Sequence, residues 1–227
     1  WELLDVLKPY DESGIDISIP ESITKYKNDY FVQANLENQD FRGQNLDGVD
    51  FRKANLRMAI LEDVSCEPIR VKKKAPGWLV IFFAIFEDGS GSSTWASSFF
   101  KEKMKSTDFS EADLTRANLK NAKLREANFH DAILKQANLT NASLVNADLS
   151  NADLTNSNLS YTDMSDALLY GTNLEGADLT GAKLDGADLE DANLKNAILK
   201  GVDLREVDLA NANLTGADLT NTIMPEE

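Results

Sequence analysis

The chain has 227 residues and a formal net charge of −15. Such a charge excludes nucleic-acid binding by phosphate neutralisation, which needs clustered Lys and Arg, but suits a basic protein surface or imitation of a polyanion. The single cysteine, Cys66, excludes an intrachain disulfide framework and a CxxC metal site.

The stretch 1–30 reads as an N-terminal cap. Trp1 to Leu7 suits a short helix that Pro9 ends. Ile15 to Ile19 alternates like a strand. Trp1-Glu2-Leu3-Leu4-Asp5 has no basic n-region of a signal peptide, and the missing initiator Met fits removal of an upstream segment. No targeting motif assigns a compartment, so the cytoplasm is the default expectation.

From Phe31 a five-residue period takes over. Its centres are Phe31, Leu36, Phe41, Leu46, Phe51, Leu56, Leu61 and Cys66. A second block runs from Phe109 to Met224, with Leu, Phe or Met at 24 consecutive positions five apart. Two residues before each centre lies a small residue, most often Ala, and Asp or Asn dominates the slot between them. A helix of 3.6 residues per turn cannot hold a period of five on one face. A plain strand repeats every two residues. A short strand followed by a corner solves both problems, with Ala and Leu pointing inward two positions apart. Eight glycines, among them Gly43, Gly181 and Gly216, fall two residues after a centre, and Asn shares that slot. Both tolerate the positive φ that tight turns demand. Four such corners close a square coil of four units, and coils stack by parallel hydrogen bonds.

The phrases ANLKNAKLREANF, ADLSNADLTNSNL and ADLTGAKLDGADLEDANL carry a resemblance. They resemble the pentapeptide-repeat family, with its A-(D/N)-L-x-x unit. The resemblance implies an all-β fold, a right-handed quadrilateral parallel β-helix. It covers residues 31–66 and 107–224. It also implies that dimers can form end to end through the C-terminal coil. Some members of that family resemble duplex DNA and bind type II topoisomerases such as gyrase, which gives one alternative function.

The organisation expected is therefore a cap at 1–30, two coils at 31–66, an insertion at 67–106 and six coils at 107–227. If Phe109 restarts on the face after Cys66, then Phe31, Phe51, Phe109 and Phe129 form one stack. The column of eight coils is then roughly 38 Å long at the parallel-strand spacing. Cys66 reads as a core residue in a Leu slot, and His130 as an outer-surface residue. Neither has partners for a metal or catalytic site, and the outward carboxylates lie on a convex column without the cleft that separates pKa values. No catalytic, cofactor or metal residues are expected, and the protein is read as a non-enzymatic scaffold.

The insertion differs in kind. Residues 67–106 carry four acids and seven bases, the only basic stretch of an acidic chain. Lys72, Lys73 and Lys74 lead into a nearly unbroken apolar run that is about half of the ~20 residues a spanning helix needs. Three readings stand: a hairpin packed on the column, a docking element for another protein, or a hairpin dipping into a membrane surface. Trp78, Phe82, Phe83, Phe86, Trp95, Phe99 and Phe100 are of the types that dominate interface energetics. A second irregularity lies at 156–172. There the Ala slot holds Ser157, Thr162 and Thr172, Leu168 replaces Asp or Asn, and Tyr161 and Tyr170 lie outside. That patch is expected to receive either the insertion or a partner. The preferred function is protein binding through the insertion, the acidic faces, or both.

Overall fold

The computed structural model describes residues 31–71 and 103–225. The expected cap and most of the insertion lie outside the described residues.

The five-residue period becomes a repeated circuit of hydrogen bonds. Parallel bridges join residues one coil apart, such as Asp108 to Asn128, Asn128 to Asp148 and Asp148 to Leu168. Four successive units separate bridged residues, so each coil has four faces. Between faces the chain makes a β-turn. The N–H of Ala112 donates to the carbonyl of Phe109 at 3.0 Å, and the residue before it, Glu111, has φ +58°. That is the sign a type II turn needs at its third position. Asn, Asp and Gly hold the slot most often, yet Met58, Arg116 and Tyr161 adopt the same φ. The turn is therefore imposed by stacking, against a local preference of about 1–2 kcal/mol per residue for right-handed backbone.

In a unit with Asp or Asn between its inward residues, every N–H has an acceptor. In the unit centred on Phe109, the Asp108 N–H donates back to Val49 and the Phe109 N–H forward to Asn128. The Glu111 N–H donates forward to His130. The Ala112 N–H closes the turn. The remaining N–H, of Ser110, donates to the Asp108 carboxylate at 3.0 Å. This explains the Asp or Asn slot: its side chain is the acceptor for the one N–H that neither ladder nor turn can reach. The same bond recurs with Asn128 to His130, Asp148 to Ser150 and Asn158 to Ser160.

The core is a narrow shaft. Almost every Ala and Leu of the two inward slots is fully buried from Ala54 to Leu204. Phe31, Phe51, Phe109 and Phe129 stack in the predicted order, with centroids 5.2, 5.0 and 4.8 Å apart. Cys66 is buried in the same shaft, and loss of hydration pushes its thiol pKa well above the ordinary value.

The ladder also crosses the interval between the two blocks. Asp50, Asn55, Ile60 and Ser65 pair with Asp108, Asp113, Asn118 and Lys123. At the base of the interval, strand β1 (Ile69–Val71) pairs antiparallel with strand β2 (Lys103–Lys105). The chain thus returns to the place it left. Thr107 seals the junction: its hydroxyl donates to the Leu46 carbonyl at 2.9 Å and accepts the Gly48 N–H at 3.0 Å.

Corner glycines separate two effects. Gly181 has φ +64°, and an added Cβ would lie 2.9 Å from the ring of Tyr161. Gly43 has the same φ with open space around it. Gly181→Ala is expected to destabilise the column by about 1–2 kcal/mol and to displace the Tyr161 ring. Gly43→Asn should be nearly neutral, since Asn tolerates this backbone. Urea unfolding of both variants, with NMR of the Tyr161 ring, checks this.

Candidate interaction surface

The expected site residues divide into two groups. Lys72, Lys73, Lys74, Trp78, Phe82, Phe83, Phe86, Trp95, Phe99 and Phe100 lie outside the described residues. Tyr161, Leu168 and Tyr170 are described, and all three are exposed. The fold does not bring the three together. Leu168 lies within one face and Tyr170 in the corner that follows it. Tyr161 lies two corners earlier, diagonally across the coil from Tyr170, and sits over Gly181 of the next coil. The expected patch is therefore two separate features. Ser157, Thr162 and Thr172 belong to neither, for they are buried in the shaft. Thr162 and Thr172 donate to the carbonyls of Leu159 and Leu149, while the Ser157 hydroxyl has no partner.

Leu168 and Tyr170 sit among carboxylates. On their ladder Leu168 bridges Asp148 on one side and Asp188 on the other. The charge of the nearby Asp191 carboxylate raises the tyrosine's pKa, with Glu190 and Asp188 adding to the effect. Leu168 offers no acceptor to the Tyr170 N–H, so the unit has forgone its side-chain hydrogen bond.

Several charges elsewhere are paired locally. Lys135 pairs with Asp153 at 2.9 Å, Lys195 with Glu175 at 3.0 Å and Lys200 with Asp218 at 3.1 Å. Arg52 forks onto Asp50, and Arg42 onto Asp40. Arg205 repeats the fork on Asp203, with Nη2 to Oδ2 at 2.5 Å. Around this last pair the ladder breaks. No bridge joins Lys183 to Asp203. The Gly186 N–H takes the Glu206 carbonyl, one residue beyond the usual acceptor. Asp185, Asp203, Arg205, Glu206 and Pro225 line an open depression of about 470 Å³ there. The fork is not the cause, since Arg52 makes it beside an intact ladder. The break coincides with Val202 and Val207 in slots that usually hold Ala.

The coil from Leu209 to Met224 leaves Leu219, Ile223 and Met224 exposed, and Leu209 and Leu214 only partly covered. Among the described residues, no group of His, Cys, Asp and Glu converges as a metal site, and no helix is long and apolar enough to cross a membrane.

Comparison with known proteins agrees with this geometry. The family model for pentapeptide repeats matches in eight copies, over residues 30–65 and, in overlapping segments, 103–224. The chain belongs to the pentapeptide-repeat family. A right-handed β-helix is the fold of that family, and the parallel bridges here fit it. No curated protein matches the chain. Among solved structures, HetL of the cyanobacterium Nostoc sp. strain PCC 7120 is a pentapeptide-repeat protein involved in heterocyst differentiation regulation. It is 25% identical, covering 91% of this chain and 94% of its own, with a TM-score of 0.33. A pentapeptide-repeat protein of the Arabidopsis thaliana thylakoid lumen is 38% identical over 37% of this chain and 63% of its own, with a TM-score of 0.32. QnrB1, a plasmid-mediated fluoroquinolone resistance protein, is 17% identical over 88% of this chain and 87% of its own, with a TM-score of 0.40.

Arg205 makes Asp203 a sharp titration probe. The guanidinium's hydrogen bonds, joined by the Arg205 N–H, hold the carboxyl down at about 2, against an ordinary 3.8. A depressed carboxyl contributes stability above its unfolded pKa and loses it as pH falls through the folded one. The contribution here is therefore intact above about pH 4 and lost towards pH 2. In carboxyl-detected NMR, Arg205→Ala should move the Asp203 midpoint upward, toward 3.8. An unchanged midpoint would show that the fork does not form in solution.

Proposed function

We propose that the protein is a non-enzymatic scaffold, a column of eight coils that binds another protein through the insertion at 67–106, its acidic faces, or both. One observation carries the reading. The ladder that ends at Ser65 resumes on Lys123, and β1 and β2 close the interval at its base. This supports an appendage on an intact column, as distinct from a break between two domains. The outward side chains of the described coils present area for contact with a partner.

The appendage and the column can be tested apart. Replacing residues 72–102 with a short Gly-Ser linker should leave the melting of the column cooperative and little changed. Cross-linked capture should then lose the partners that depend on the insertion and keep those that depend on the faces. A collapsed melting transition would show that the insertion is part of the core. Failure of both proteins to retain any partner above an unrelated acidic protein would remove the scaffold reading.

We further propose that a second copy covers the coil at Leu209–Met224. Its exposed Leu219, Ile223 and Met224 support this, as does the unpaired ladder edge on that side. Sedimentation of this chain at micromolar concentration should report a dimer, and Ile223→Lys should return it to a monomer. A monomeric parent chain would refute the dimer and leave the scaffold reading in place.

A further inference from the structure

The face that carries Leu168 runs through the bridged residues Asp108, Asn128, Asp148, Leu168, Asp188 and Asp208. Consecutive rungs lie ~4.8 Å apart. From Asn128 onward this face and the corner that follows it contain six acids: Asp131, Asp148, Asp188, Glu190, Asp191 and Asp208. The same stretch contains no Lys or Arg; its one basic type is His130, whose Nε2 lies 3.2 Å from Asp131. On the faces bearing Lys135, Lys195 and Lys200, the carboxylates of Asp153, Glu175 and Asp218 are ion-paired. On this face Asp108 pairs with Arg52 at 3.8 Å, but from Asp148 onward no ion pair forms on it among the described residues.

The fold does not require that charge. The slot needs a side-chain oxygen to accept one N–H, and Asn supplies it as well as Asp. Asn128 accepts from His130 at 3.0 Å, and Asp188 accepts from Glu190 at 3.0 Å. The neighbouring face uses Asn at 173, 193 and 213, in the coils where this one holds Leu168, Asp188 and Asp208. The carboxylates are therefore a surplus over structure. Asp188 and Asp208 lie on adjacent rungs, and the repulsion between them opposes folding.

In the middle of this strip stand Leu168, 48% exposed, and Tyr170, 44% exposed. Leu168 gives up the turn acceptor and exposes an apolar side chain in its place. A local cost twice over, in charge and in apolar exposure, points to a contact made outside the chain.

We infer that this strip is a docking surface for a lysine- and arginine-rich segment of a protein partner. The inference rests on the scaffold reading and specifies which face acts and on what chemistry. The partner's cations neutralise Asp148, Asp188, Glu190, Asp191 and Asp208. An apolar or cationic side chain of the segment covers Leu168 and lies against the Tyr170 ring, where the flanking carboxylates strengthen the attraction of a cation to the aromatic face. An anionic membrane or a nucleic acid would be repelled by the same charges.

The probe is a short fluorescein-labelled peptide of alternating Lys and Arg with one central Leu, titrated into the full chain by anisotropy. A glutamine version of the peptide serves as control. The variant Asp148→Asn/Asp188→Asn/Asp208→Asn keeps every turn acceptor. It should weaken binding at least tenfold. The matched variant Asp113→Asn/Asp153→Asn/Asp178→Asn, on two other faces, should weaken it less than twofold. Leu168→Asp restores the turn acceptor, adds charge and removes the apolar contact. It should weaken binding of the leucine peptide relative to a peptide with Ser at that place. Equal loss in the two triple variants would reduce the effect to the column's net charge and overturn the proposal. No binding to the parent chain would overturn it as well. If cross-linked capture retains a partner that ignores the strip variant, this inference fails while the scaffold reading stands. If neither peptide nor partner binds, both fail.

Discussion

The structure depends on one constraint: an N–H and a carbonyl one full coil apart along the chain must meet face to face. Parallel pairing at that interval forces four faces per coil, and each five-residue unit must supply both a face and its corner. The period of the sequence is thus the hydrogen-bond circuit written along the chain. A side chain may change, but a residue cannot be inserted within a unit without moving all later inward slots outward. The interval after Cys66 is tolerated because it lies at a corner, and the ladder resumes from Ser65 to Lys123 as if it were absent.

Much of this was legible in the sequence because the constraint acts on residue type. Inward slots must be small then large, which Ala and Leu record. Corners with positive φ favour Gly and Asn, and eight glycines mark them. The phenylalanine stack follows from numbering once the coil is closed at four units. The reason for Asp and Asn was not legible, because an acceptor for one orphaned N–H leaves the same composition as a solvated face. Nor was the separation of Tyr161 from Leu168 and Tyr170 apparent. They are close in sequence, but four-fold winding puts the two tyrosines on opposite corners. Sequence proximity groups Ser157, Thr162 and Thr172 with the outer patch, whereas a shaft of Ala-sized slots admits one hydroxyl where a carbonyl can receive it, as those of Thr162 and Thr172 show. The lost bridge between Lys183 and Asp203 left no clear mark, since its Asp-x-Arg triplet also occurs at Asp50 beside an intact ladder.

The same economy separates what the scaffold fixes from what it leaves free. Inward slots and corner φ are demanded at nearly every rung, and the turn acceptor at most of them. The choice between a carboxamide and a carboxylate in that acceptor slot is not, since both present the oxygen the N–H needs. Charge can therefore be written onto a face without disturbing the column beneath it. Asp188 and Asp208 on one face stand beside Asn193 and Asn213 on its neighbour, a difference that stacking cannot explain. Solubility does not explain it either, because solubility depends on how much charge the surface carries and is nearly indifferent to which face carries it. On the proposed reading, the two faces differ because a basic segment of a partner comes to lie against one of them.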